Sequence, residues 1–469
     1  MGHNRSRSRQ RGGAKRAKHP SLLKRINRNA AGIDCGSEAH YVAVPSERDP
    51  EPVRSFKTFT ADLHQLADWL EVCKIKTVAM ESTGVYWIPI FEILEERGFE
   101  VVLVNARHIK NVPGRKTDVL DCQWIQELHS VGLLRGSFRP AAEIVSLRAY
   151  LRHRGKLVEG AASHIRRMQK VLVQMNLLLH NVISDITGVT GMRILRDIVA
   201  GVTDPMALAV HRDYRCRASL EEIAASLTGN YRAEHLFVLR QNLELFDTFQ
   251  QQIQNCDAEI ESLLHELATK QRKPEAPVPS PRCKPRFCDN EPRFEIRDPL
   301  YRLAGADLTQ IDSIGPYTAL KLIAEIGTDM SRWPTPGHFT SWLTLAPRNK
   351  ITGGRLISSR TQPSANRAAT VLRMCAMVVG RTSTALGAYY RRIAYRIGKP
   401  KAITATARKL AILVYRVLKG DLDYNDPGAQ AYEEHYRTRA IRNLSKRAKQ
   451  FGLGLVNVET GELIQGAVT

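Results

Sequence analysis

The sequence contains no apolar run long enough to cross a membrane. A transmembrane helix needs roughly 20 consecutive apolar residues, and no stretch of this length occurs among the 469 residues. The N-terminal segment through Arg28 also lacks the apolar core of a secretory signal. These absences predict a cytosolic protein without a membrane partner.

Cysteine is scarce and scattered. Of the eight cysteines only Cys283 and Cys288 lie close together, and no second cysteine pair or histidine pair completes a zinc site. We therefore expect reduced thiols and no structural zinc ion.

Acidic residues are few relative to basic ones. The chain has 47 Asp and Glu against 69 Lys and Arg, which gives a formal net charge of +22. Such an excess attracts polyanions such as nucleic acids. Because 43% of the residues are hydrophobic and 25% are charged, most of the chain is expected to fold, into about three domains by length.

The charge and the periodicity divide the chain into six regions. Residues 1–30 form a basic arm, predicted to be disordered, whose first 28 residues carry ten Lys or Arg and no acid. Residues 31–142 alternate predicted strands and helices, which indicates a layered α/β domain, and its strand runs at 31–34 and 40–44 suggest a hairpin. Residues 143–270 are helical, 271–299 are a linker with seven prolines, 300–420 are mainly helical, and 421–469 are a loosely attached polar tail.

The helical region 143–270 carries two heptad-like segments. In the first, apolar residues recur at alternating spacings of three and four from Val158 to Leu179, which is typical of a coiled-coil seam. The second, from Leu236 to Leu267, is interrupted at Gln250 and Asp257. The two segments could pair within one chain or between chains.

Four acids stand where a metal site could form, and we call them the acidic quartet. Asp34 and Glu81 each follow a predicted strand, and Asp118 and Asp121 lie three apart on a predicted helix capped by Thr117. Carboxylate oxygens suit Mg²⁺, with Mn²⁺ as the alternative, and such ions assist phosphodiester chemistry. Ordinary surface acids would give the same spacing. The net charge of +22 favours a metal site, because it makes a phosphodiester the expected substrate.

Two segments of the C-terminal helical region are typical of nucleic-acid binding. Residues 311–327 read as a helix-hairpin-helix, in which the Gly315-Pro316 turn exposes backbone N–H groups toward a phosphate. Downstream lies a basic, glycine-rich loop with Arg348, Thr352, Gly353, Gly354 and Arg355, followed by Ser358, Ser359 and Arg360. Paired glycines allow a nucleic-acid backbone to approach closely, and the arginines can neutralise a phosphate.

These residues resemble the DEDD transposases of the insertion sequence 110 family, subgroup 1111, the RNA-guided bridge-recombinase type. The likeness lies in Gly-Ile-Asp34, Met-Glu81-Ser-Thr-Gly84, Val-Asn105 and Lys-Thr-Asp118-x-x-Asp121, and covers about residues 31–420. It implies an N-terminal domain with a RuvC-like, ribonuclease-H fold and metal-dependent DNA recombination of a mobile element. It also implies double-stranded donor and target DNA, a structured non-coding guide RNA, a homodimer or homotetramer, and a location in the bacterial cytosol or nucleoid.

The resemblance further implies a nucleophilic serine before a glycine in the glycine-rich loop. This sequence has Thr352 at that position, and a threonine hydroxyl is a competent but more crowded nucleophile. Either Thr352 serves, or Ser358 or Ser359 replaces it, or strand transfer is impaired in this copy.

Three other functions remain open at the level of sequence. One is a structure-specific DNA junction nuclease that uses the same acids with water as the nucleophile. Another is a non-catalytic nucleic-acid-binding protein built on the helix-hairpin-helix and the basic arm, and the third is an inactive relic. In the catalytic hypothesis, the long linker and the coiled-coil segments suggest that separate domains, in one protomer or two, assemble the complete site.

Overall fold

The computed structural model describes residues 24–82, 84–105, 118–271, 274, 276–282, 288–458, 460, 461 and 463, with Asp118 described by its backbone alone. The chain divides into two compact units, residues 1–139 and residues 140–469. This division falls close to the expected end of the α/β domain, and it places the coiled-coil and C-terminal regions in one unit.

Unit 1 is built on a five-stranded mixed sheet. Its strands are β1 (Ala30–Cys35), β2 (Ala39–Ala43), β3 (Val53–Lys57), β4 (Thr77–Glu81) and β5 (Glu100–Val104). The order is β3-β2-β1-β4-β5, with β1, β2 and β3 antiparallel and β4 and β5 parallel to β1. The predicted hairpin is confirmed, β3 was not predicted, and the arrangement is consistent with a ribonuclease-H-like domain.

Helices cover both faces of this sheet because each strand alternates its side chains between them. Helices α1 (Thr60–Val72) and α2 (Trp87–Glu96) pack on the face that carries Ile33 and Met80, where the main core of the unit lies. Helix α3 (Asp118–Ser130) packs on the opposite face, where Ala79, Val104 and Ile125 form a smaller buried cluster.

The second unit is mostly helical and opens with two long helices. Helix α4 (Ala142–Gln174) pairs with α8 (Ala233–Lys270), so the two heptad segments pack against each other within one chain. The shorter helices α5 (Val189–Ala200), α6 (Pro205–Ala209) and α7 (Leu220–Ser226) add to the same core.

The interruption of the second heptad segment at Asp257 has a structural reason. Asp257 accepts hydrogen bonds from Arg154 of α4, whose side chain is only 2% exposed. The same guanidinium donates to the carbonyl of Asn290 and to the Tyr317 hydroxyl, at 2.9 and 3.0 Å. A buried charge of this kind requires several partners, and here they tie the two long helices to the C-terminal region.

The C-terminal part of unit 2 contains seven helices and one small hairpin among the described residues. The helices are α9 (Arg297–Ala304), α10 (Pro316–Ile326), α11 (Pro336–Trp342), α12 (Arg367–Val379), α13 (Ala385–Ile397), α14 (Lys399–Leu418) and α15 (Gly428–Gln450). Strands β6 (Lys350–Thr352) and β7 (Arg355–Ser358) form the hairpin. Helix α15 differs from the loosely attached tail expected there, and α9 begins inside the expected linker.

Some predictions fall outside the described residues. These are the disorder of residues 1–23, the cap at Thr117 and the spacing of Cys283 from Cys288. Residues 24–29 are described, and Ile26 and Asn27 donate backbone hydrogen bonds to Ser130 at the end of α3. No helix in the described part of the chain is long and apolar enough to cross a membrane.

Candidate active site

Asp34 and Glu81 lie near the carboxyl ends of neighbouring parallel strands. The register pairs Ile33 of β1 with Met80 of β4, so the two acids are the next residues along their strands. Both Ile33 and Met80 contribute to the core beneath α1 and α2. Because successive strand residues face opposite sides, the two acids belong to the face that α3 covers.

Helix α3 runs antiparallel to β4 on that face. Near its C-terminus, the His129 ring nitrogen Nε2 lies 2.8 Å from the Thr77 hydroxyl at the start of β4. One turn earlier, Ile125 packs with Ala79 in the middle of the strand. The preceding turn, which contains Asp121, therefore lies toward the strand end that carries Glu81.

A glycine in β1 allows this close approach of α3. A Cβ atom on Gly32 would lie 2.3 Å from the backbone nitrogen of Gln126 and 2.5 Å from the carbonyl oxygen of Cys122. The Gln126 amide also donates to the carbonyl of Ala30, at 3.2 Å. The helix that carries Asp118 and Asp121 is thus seated directly on the strand that carries Asp34.

The negative charge of the acids raises the pKa values of two nearby thiols, Cys35 and Cys122. Burial raises the pKa of the Cys35 thiol, and the carboxylates of Asp34 and Glu81 raise it further. Burial raises the pKa of the Cys122 thiol to about 12, with further contributions from Asp34 and Asp121. Three members of the acidic quartet therefore act on thiols of one small region.

The chemistry of these donors fits a hard divalent cation. Mg²⁺ and Mn²⁺ take carboxylate oxygens, and Glu81 is only 7% exposed while Asp34 and Asp121 are half-buried. Among the side chains that the structure describes, no group of three His, Cys, Asp or Glu could hold a metal ion as placed. The carboxylate of Asp118 lies outside the described side chains, so the geometry of the complete quartet stays a prediction.

Thr352 lies at the tip of the β6–β7 hairpin in unit 2. It pairs with Arg355 across a turn formed by Gly353 and Gly354, whose φ angles are +54° and +74°. A two-residue turn with two positive φ angles favours glycine at both positions. Thr352 is exposed, so its hydroxyl is accessible to a large ligand.

A basic cleft of about 500 Å³ opens beside the hairpin, away from its tip. We call it the basic cleft, and its lining includes Arg348, Lys350, Ser358, Arg360, Thr361 and Gln362. The backbone N–H of Arg348 donates to the carbonyl of Arg360, and the backbone N–H of Arg360 donates to the Ser358 hydroxyl at 3.4 Å. The cleft thus concentrates positive charge and hydroxyl groups, and Ser358 lines it whereas Thr352 does not.

The expected helix-hairpin-helix turn differs from its prediction in one respect. The left-handed residue is Ser313, with φ +66°, whereas Gly315 has φ −82° and caps α10 in an extended conformation. The glycine is exposed, and no heavy atom lies within 4 Å of the position its Cβ would occupy. It therefore leaves open space beside the first turn of α10 and is not needed for backbone conformation.

Two protein-family models match parts of this chain. Residues 31–177 match the transposase model of the DEDD IS110 type, and residues 305–391 match the model of the transposase IS116/IS110/IS902 family. The protein is a transposase. The first match contains the acidic quartet and the second contains Gly315 and Thr352. No curated protein matches the chain.

The structure of this transposase brings together part of the predicted site. It places Asp34 and Glu81 near the carboxyl ends of β1 and β4 and Asp121 on the helix that covers that face, but these three described acids do not form a metal-binding group as placed. It places Arg348, Gly353, Gly354 and Arg355 in or beside the hairpin of unit 2. Sequence reasoning missed Lys350 and Gln362, which line the basic cleft. The basic run Arg348-Asn-Lys350 was a signal for Lys350, whereas Gln362, beyond β7, carried none. Transposases of the DEDD type generally use a divalent metal ion.

Proposed function

We propose that this transposase cuts and rejoins double-stranded DNA through a covalent protein–DNA intermediate. The Thr352 hydroxyl attacks a backbone phosphorus, and its oxygen forms a phosphoester as the bond to the leaving deoxyribose oxygen breaks. The Thr352 hydroxyl gives up its proton to solvent in this step, and the leaving oxygen takes one up, so the protons balance. Attack by a hydroxyl of another strand then reverses the step and releases Thr352.

The acidic quartet is proposed to hold the divalent cation. A bound Mg²⁺ or Mn²⁺ ion would polarise the phosphate and stabilise the leaving oxygen. The observation that carries this proposal is the placement of Asp34 and Glu81 at adjacent parallel strand ends beneath the helix of Asp118 and Asp121. Carboxylates carried by separate elements on one face of the sheet repel one another, and a bound cation would offset that repulsion.

The basic cleft is proposed to bind phosphates of the DNA strand. Arg348, Lys350 and Arg360 form no ion pair with an acid of the described residues, so their charge is available to a ligand. Guanidinium groups bind phosphate oxygens in pairs, and those of the cleft would hold the strand alongside the base of the hairpin. The open first turn of α10 at Gly315, in the proposed helix-hairpin-helix, is a second candidate phosphate contact.

Ser358 is the strongest competitor for the nucleophilic role. It lines the basic cleft, whereas Thr352 lies at the exposed tip. We favour Thr352 because the resemblance places a nucleophile at that position, directly before the glycine turn. The Ser358 hydroxyl already accepts a hydrogen bond from Arg360, which favours a structural role.

The experiment is to trap the covalent species on a nicked DNA substrate and separate it on a denaturing gel. Thr352→Ala should reduce adduct formation on the order of 10³-fold or more, while Thr352→Ser retains it. The double variant Ser358→Ala/Ser359→Ala is the matched control and should still form adducts. Adducts that survive Thr352→Ala but vanish in the serine double variant would transfer the role to those serines.

The same substrate tests the acids and the alternative of hydrolysis. Glu81→Gln preserves the size of the side chain, and we expect DNA binding to persist while cleavage is lost, with Mg²⁺ titration as the measurement. Cleavage by the parent protein without any protein–DNA adduct would favour a junction nuclease that uses water. Cleavage unaffected by Glu81→Gln would remove the metal site from the proposal.

We further propose, from the family resemblance, that a structured non-coding RNA guides the reaction and that the working form is a dimer or tetramer of the 1111 subgroup type. The net charge of +22 is compatible with an RNA partner. Sequencing the RNA that co-purifies with the protein tests this. One discrete species is expected, and random fragments would contradict guidance.

A further inference from the structure

The second half of helix α15 is strongly basic. Between residues 437 and 450 it carries six cations and no acid. Those cations are Arg437, Arg439, Arg442, Lys446, Arg447 and Lys449, and all six are exposed. The segment lies outside both regions that match transposase families.

Four of the six cations share one side of the helix. Arg439, Arg442, Lys446 and Lys449 follow the spacing i, i+3, i+7, i+10, and at about 100° per residue they fall within an arc of roughly 80°. We call these four residues the basic stripe. At about 1.5 Å per residue the stripe extends over roughly 15 Å. Arg437 and Arg447 lie outside that arc.

Ordinary helix electrostatics does not explain the basic stripe. Cations stabilise the negative end of a helix dipole only within about the last turn, and Arg439 and Arg442 lie two to three turns before Gln450. Helical ion pairs do not explain it either. Glu433 and Glu434 stand in the first half of α15, and no stripe residue forms an ion pair with an acid in the described ranges.

Helix α15 is held in a defined orientation on α13. The Arg392 guanidinium lies 3.7 Å from the ring centroid of Tyr436 and 5.2 Å from that of Tyr432. Tyr432 also packs edge-on against Tyr389 of α13, with 6.3 Å between the ring centroids. These contacts lie N-terminal to the stripe, so the stripe extends from an anchored base with its charges in solvent.

We propose that the basic stripe binds the phosphate backbone of duplex DNA without reading its sequence. Successive phosphates of one strand advance by about 3.4 Å along the duplex axis, so roughly 15 Å of helix faces about four of them. Four exposed cations match four phosphates in number and reach. The stripe adds affinity outside the matched family regions, and it depends on neither the nucleophile nor the metal ion of the proposed function.

The test compares two charge-matched double variants of the full chain. Arg442→Gln/Lys446→Gln removes two stripe charges, and Arg437→Gln/Arg447→Gln removes two charges elsewhere on the same helix. Binding to a mixed-sequence duplex oligonucleotide is followed by fluorescence anisotropy over a salt series, in EDTA to prevent chemistry. Because each phosphate contact contributes a slope of about 0.9, the stripe variant should lower the salt slope by about 2. At about 0.1 M salt this change in slope corresponds to a loss of DNA-binding affinity of up to roughly 60-fold. The control variant should change the salt slope far less.

Several outcomes would overturn the proposal. Equal losses in the two variants would mean that the charge acts diffusely. A stripe variant that keeps full duplex binding but loses binding to a structured RNA hairpin would assign the stripe to RNA. Circular dichroism and thermal melting verify that both variants fold. Since the assay contains no metal ion and no cleavage step, its result is separate from the fate of the proposed chemistry.

Discussion

Gly32 determines how closely helix α3 approaches the strand that carries Asp34. In the Gly32→Ala variant the new methyl group would lie 2.3 Å from the backbone nitrogen of Gln126 and 2.5 Å from the carbonyl oxygen of Cys122. Ordinary carbon contacts are about 3.5 Å or longer, so the helix must retreat by about 1 Å. Backbone atoms cannot rotate away as a flexible side chain would. The helix also carries Asp118 and Asp121, so the acids move with it.

The expected magnitude follows from both consequences of this shift. Overpacking of a buried site costs about 1–3 kcal/mol, and the backbone contacts place Gly32→Ala at the upper end of that range. A misplacement of about 1 Å at a reacting centre costs on the order of 10²-fold in rate. We therefore expect both lower stability of unit 1 and loss of cleavage that added Mg²⁺ does not restore.

The assay combines hydrogen exchange of residues 118–130 with the DNA cleavage rate. Exchange should accelerate in this helix relative to the parent protein. Gly136→Ala is the matched control in the same unit, because its Cβ would meet only the Val102 side chain, at 3.4 Å. If Gly32→Ala exchanges and cleaves like the parent, the close seating of α3 on β1 and its role in placing the acids are both refuted.

Two further predictions concern buried polar groups. Asp257→Ala leaves the Arg154 guanidinium buried without its carboxylate, which should cost about 3–5 kcal/mol of unfolding free energy in a denaturant titration. Asp247→Ala on the same helix is the control, because it breaks only the exposed ion pair with Arg196. A loss of unfolding free energy above about 1 kcal/mol in this control would contradict the expected difference between a buried and an exposed ion pair. Burial lowers the pKa of His129 in the folded protein. Below about pH 6.5 the unfolded chain therefore binds a proton at this histidine that the folded chain does not bind. The free energy of unfolding should consequently fall as the pH drops below about 6.5. His129→Gln should show a shallower decline between about pH 7 and pH 5 than the parent, by at most about 1.4 kcal/mol per pH unit, and an unchanged slope would reject this assignment.

Local sequence patterns determined many of the elements, although not β3, the β6–β7 hairpin or α15. The alternation of strands and helices before residue 105, the heptad spacing from Val158 and the helix after Pro316 are all present in the structure. These features depend on side-chain periodicity and backbone preference within a few residues, so a short stretch of sequence is enough to predict them. The acids at Asp34 and Glu81 could be identified in the same way, since each directly follows a buried run.

Tertiary packing decided which of these residues meet. The close seating of α3 at Gly32, the pairing of Arg154 with Asp257 and Tyr317, and the anchoring of α15 through Arg392 join residues far apart in the chain. No periodicity encodes such contacts, because each depends on shape and charge that two distant segments present only after both have folded. The sequence therefore determined that acids and cations would be present, and the packing determined which strand end, cleft and helix face present them together.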